Sequence, residues 1–136
     1  MQKLHTLKNG LALAALCTSL TGLAFAAHAA DASTEVTTAA THAGFSAAST
    51  SVAMAHTHLH HTLNCLVGPG GDGFDKKELN PCANSGNGAI PDTSDSAKKK
   101  SLEDAAGNAR AALMNDDLAA VQKQAAAIEA ELKAMK

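Results

Sequence analysis

The residues that could do chemistry crowd into twelve positions, Met54-Ala-His56-Thr-His58-Leu-His60-His61-Thr-Leu-Asn64-Cys65. Neutral imidazole is the commonest metal-binding side chain, and it changes charge near physiological pH. From Val36 through Gly71 the chain carries no Asp, Glu, Lys or Arg, so these histidines are the groups of that stretch that titrate near neutrality. On a helix, residues three and four apart share a face. His56 and His60 form one such pair. His58 and His61 form a second, with Met54 four residues before His58 and Cys65 four after His61. Each pair can offer two nitrogens to one ion. The metal-ligand candidates are therefore His56, His58, His60, His61 and Met54.

Two imidazoles do not complete a site. Zinc takes four ligands, and copper three or four, with sulfur favoured in the reduced state. Asp72, Asp75 or a second subunit are the expected sources of the remainder, and Met54 would suit copper(I). His42 is set aside, because a continuous helix would hold it about 20 Å from the cluster. His56 and His60 share the spacing of the His-Glu-x-x-His zinc motif, but Thr57 stands at the glutamate position, so no protease is implied. A b-type haem is a minor alternative, with His56 or His60 as axial ligand and Met114 opposite. The absence of Cys-x-x-Cys-His excludes covalent haem attachment.

The elements that must position these residues are helical. Phe45, Ala48, Val52, Ala55, Leu59, Leu63 and Leu66 recur at helical spacing and predict a His-rich helix over 45–67, stopped by Gly68-Pro69. Residues 31–44 are small and polar and read as a flexible tail. Residues 68–97 hold all three prolines of the sequence and read as a long Gly/Pro loop. Residues 98–136 predict one or two helices. Ser101 is the expected N-cap, and Asn115-Asp116-Asp117 is a break at which Asp116 or Asp117 caps a second helix. Val121, Ala125, Ile128 and Leu132 make its buried stripe. The expected fold is all-α: a small three-helix, or helical-hairpin, domain over 45–136 with a long disulfide-tethered loop.

The first thirty residues predict an address. Lys3 and Lys8 precede an apolar run, and Ala27-His28-Ala29 has the small-x-small pattern of signal peptidase sites. Residues 1–30 thus read as a signal peptide, cleaved before Ala30 or Asp31. The apolar run is too short and interrupted for a transmembrane anchor, and Leu16 before Cys17 argues against a lipid anchor. Export leaves Cys65 and Cys82, expected to form one disulfide rather than a pair of thiolate ligands. After Ala30 the chain has nine Lys/Arg against thirteen Asp/Glu, no basic surplus for nucleic acid. No nucleophile sits in a catalytic setting, so no enzyme is expected. The sequence points to a periplasmic or secreted protein, without a membrane segment in its mature form, that binds copper or zinc. A non-catalytic interaction protein with incidental histidines, docking on a protein partner or on itself, is the alternative.

Overall fold

The computed structural model describes residues 30–135, so the expected signal peptide falls outside the described residues. Among those residues the chain is all-helical: α1 (Ala32–Ala47), α2 (Val52–Val67), the single turn α3 (Ala89–Asp92), α4 (Ser96–Leu113) and α5 (Leu118–Ala134). The four long helices close a ring in which α1 packs on α2 and α5, and α4 packs on the other sides of α2 and α5.

Two expectations are corrected at the N-terminal end. The segment expected to be a tail is the helix α1, and the helix expected over 45–67 is broken at 48–51. Three consecutive hydroxyl residues, Ser49-Thr50-Ser51, cause the break, because such side chains offer the backbone competing hydrogen bonds. Ser49 Oγ donates back to Phe45 O (2.8 Å), and Ser51, in an extended conformation, accepts from Met54 N (3.2 Å) as the N-cap of α2. Asp31 caps α1 in the same way through Thr34 N (3.0 Å). The helix α1 is ordered by packing: Val36, Ala39, Ala40 and Ala43 are fully buried. Their small side chains let neighbouring helices approach closely, as helix spacing follows the residues at the contact.

The domain therefore has four long helices, where three were expected. At the C-terminal end the break lies where the sequence puts it. Asp117 is the cap of α5, accepting from Ala120 N (2.8 Å), and Val121, Ala125, Ile128 and Leu132 are all buried. Asp117→Ala is expected to lower unfolding stability by about 1 kcal/mol in chemical denaturation. An unchanged midpoint would show that packing alone holds the start of α5. The helix α4 begins earlier than expected, capped by Asp95 through Lys98 N (2.8 Å), while Ser101 lies within it.

The Cys65–Cys82 disulfide is present, with both residues buried. It ties the Gly/Pro loop to the last turn of α2. Asn64, fully buried beside it, fixes the same loop from within. Its Nδ2 donates to Asp75 O (3.0 Å) and Leu79 O (3.1 Å), and its Oδ1 accepts from Asp75 N (2.9 Å). A buried amide must be satisfied, and Asn64 achieves this by holding residues 75–79 against α2. No helix among the described residues is long and apolar enough to cross a membrane.

Candidate metal centre

The turn at 48–51 folds α1 back along α2, and this decides which histidines meet. His42 and His58 lie eight residues on either side of Thr50, so an antiparallel pairing brings them level. Their Nδ1 atoms are 3.3 Å apart. His61, one turn after His58, completes a group in which one nitrogen from each ring lies within 4.8 Å of the others. Ring centroids are 5.0 Å apart for His42 and His61, and 5.6 Å for both His42–His58 and His58–His61.

The spacing of the His42 and His58 nitrogens fits an ion. With metal–nitrogen bonds of about 2.0–2.1 Å, two ligands of a tetrahedral ion stand about 3.3 Å apart. The same contact is an Nδ1–H···Nδ1 hydrogen bond in a tautomer that places a proton on one of the two atoms. The Nδ1 of His61 is buried without a hydrogen-bond partner, and a buried polar atom in that state calls for one. These three histidines could hold a metal ion. Burial, then the neighbouring imidazoles of His61 and His58, pushes His42 down to about 4. Burial, then His58, also lowers His61, against an opposing pull from Glu78. Both rings are thus neutral at pH 7, the form a metal requires.

The carboxylates stand behind the histidines. Glu78 Oε2 is 3.7 Å from His61 Nε2, and Asp75 Oδ2 is 3.7 Å from His60 Nδ1. Only Glu78 bears on a member of the three-histidine group, and at 3.7 Å it acts through its charge, raising the basicity of His61. Glu78→Gln is expected to weaken metal binding about tenfold without unfolding the protein, as read by calorimetric titration. An affinity unchanged within error would remove Glu78 from the site.

Of the residues singled out in the sequence, the structure brings His58 and His61 together and adds His42. The expectation that His42 lies too far away fails because the helix is not continuous. The pairing of His56 with His60 at one ion is not seen: His56 Nε2 engages Asn115 O (3.0 Å) in the α4–α5 connection, and His60 turns toward Asp75. Met54 sits in the first turn of α2, half exposed. Of the two carboxylates expected as extra ligands, Asp75 faces His60, while Asp72 lies 3.7 Å from Arg110. Cys65 and Cys82 are bonded to each other and are not thiolate ligands. The axial pair envisaged for haem finds no support, since His56 is engaged by a backbone carbonyl, His60 faces Asp75, and Met114 is 85% exposed. A cleft of about 630 Å3 between the Gly/Pro loop and α4, lined by Val67, Ile90, Lys99 and Arg110 among others, includes none of the histidines.

The signal that could have found His42 was the Ser49-Thr50-Ser51 run, which marks a hairpin between two histidine-bearing segments. No protein-family model, curated protein or solved structure matches this chain.

Proposed function

We propose that this is an exported helical protein that binds a transition-metal ion, zinc or copper, through His42, His58 and His61, for buffering, delivery or sensing rather than catalysis. The observation that carries the reading is the convergence of three imidazole nitrogens from two helices within 4.8 Å of one another. An all-imidazole set suits zinc and copper(II) better than calcium or magnesium, which take oxygen ligands. Three protein ligands leave a fourth position open. An open position lets a ligand from outside enter and lets the ion leave, which suits exchange between partners.

The test is calorimetry of the disulfide-intact, metal-stripped protein with zinc(II) and with copper(II). Binding of one equivalent with a Kd below about 1 μM is expected for at least one of them. Affinity weaker than about 10 μM for both would sink the proposal and favour an interaction protein whose histidines are incidental.

A further inference from the structure

A second cluster lies apart from the histidines, where the start of α1 meets α3. Glu35 is fully buried. Its Oε1 accepts from Gly88 N (2.9 Å), while its Oε2 is buried with no partner. Asp92 stands beside it, with Oδ2 accepting from Asn87 N (2.6 Å) and Oδ1 from Asn87 Nδ2 (3.1 Å). The ionisable groups that bear on Glu35 are Asp92 and Asp31, and both are acidic. Burial, with these two neighbours adding to it, raises Glu35 to about 7 against the pull of the Gly88 N–H. A buried carboxyl hydrogen-bonded to Asp92 and flanked only by acids needs either a shared proton or a cation.

Ala30 lies at that place. Gly86 faces the cluster, and a Cβ built on it would lie 2.1 Å from Asp92 Oδ2, 3.0 Å from Glu35 Oε1 and 3.3 Å from Ala30 Cα. The two carboxyls and Ala30 thus surround a single point. Ala30 is held there because the next residue, Asp31, donates its N–H to Ser85 O (2.9 Å). The amino nitrogen of Ala30 is one bond, about 1.5 Å, from its Cα. In the sequence, Ala27-His28-Ala29 is the small-x-small pattern that a signal peptidase reads, and cleavage before Ala30 or Asp31 fits it. Hydrolysis of the Ala29–Ala30 bond leaves a carboxylate on Ala29 and a protonated α-amine on Ala30.

We infer that Glu35 and Asp92, with the bare face of Gly86 between them, form a binding socket for the α-ammonium of Ala30 created when the leader is removed. The ligand class is a primary ammonium, and the chain carries it itself. Before cleavage the nitrogen of Ala30 is an uncharged amide, and nothing opposes the burial that holds Glu35 near 7. After cleavage the ammonium offers three donors, enough to engage the Glu35 carboxyl and to bridge to Asp92. Cleavage before Asp31 instead would remove Ala30 and leave the socket without this ammonium. The inference depends on leader cleavage and is independent of metal binding.

The test compares three proteins: the chain starting at Ala30 with a free amine, the same chain with Gly-Ser added before Ala30, and Glu35→Gln in the free-amine chain. The free-amine protein is expected to have an unfolding equilibrium constant about tenfold smaller than the extended one at pH 7.5. Its Ala30 amine, followed by NMR, should titrate above the ordinary value of about 8. The extended protein, whose Glu35 has a folded pKa near 7 against 4.5 unfolded, should be most stable below pH 4.5 with respect to this group and lose that stability as pH rises through 7. The free-amine protein should not show that loss. Glu35→Gln should bring the amine's pKa back toward 8. Equal stability of the free and extended chains, an amine that titrates at or below 8, or an exported protein whose mass places its first residue elsewhere would each overturn the inference.

Discussion

Replacing His42 with alanine is expected to weaken zinc or copper binding at least about 100-fold, although His42 stands outside the histidine-dense run. Loss of one of three protein ligands leaves two imidazoles of one helix, an arrangement with no closed shell. A 100-fold loss corresponds to about 2.7 kcal/mol. The informative control is His56→Ala. His56 belongs to the dense run but hydrogen-bonds Asn115 O, so its removal should leave the affinity within about twofold. Calorimetric titration of both variants separates a built site from a sticky histidine patch: similar losses in the two would favour the patch. The same residue governs acid sensitivity of the metal-free protein. His42 has a folded pKa near 4 against 6.5 in the unfolded chain. The stability linked to it is complete above pH 6.5 and is lost as pH falls toward 4, because the unfolded chain takes up the proton first. In His42→Ala that part of the pH dependence should vanish from denaturation midpoints measured between pH 7 and pH 4.

Removing the Cys65–Cys82 bridge is expected to lower stability by about 3 kcal/mol. The two cysteines are 17 residues apart in sequence, and the chain-entropy account gives about that value for closing such a loop. The loss is large for this protein because its buried apolar set is dominated by alanine, which contributes little area per residue. Double replacement of Cys65 and Cys82 by alanine, followed by chemical denaturation, measures it, and a midpoint equal to the native one would show that Asn64 alone anchors the loop. Metal binding should respond differently. His42, His58 and His61 lie on α1 and α2, outside the closed loop, whereas Asp75 and Glu78 lie inside it. The affinity should therefore fall by no more than the factor expected for Glu78→Gln, about tenfold.

The legibility of the sequence varied along the chain for physical reasons. The stripe Val121, Ala125, Ile128 and Leu132, and the cap at Asp117, were readable because period and capping are local properties. The cysteine pair was readable because the expected loss of Cys17 with the leader leaves two thiols and one pairing. The stripe from Phe45 to Leu66 misled, because its spacing is compatible with one long helix. Phe45 closes α1 and remains about half exposed, while the three hydroxyl residues after it set the break. Likewise α1 has little local signal, being small and polar in composition, and it is helical because Val36, Ala39, Ala40 and Ala43 find partners on α2 and α5.

By itself, the sequence determined the residue types: an uncharged, histidine-rich segment, an all-helical fold over the described residues, one disulfide, and a break before α5. These depend on composition and on contacts a few residues apart. The tertiary structure alone decided which imidazoles meet. Periodicity groups His56 with His60 on one line of α2, but a side chain's partners come from whatever helix packs on that line. The α4–α5 connection takes His56, and the disulfide-held loop faces His60. Only α1, returned by the turn at 48–51, carries a further nitrogen to His58 and His61, and it is His42 that makes two ligands into three.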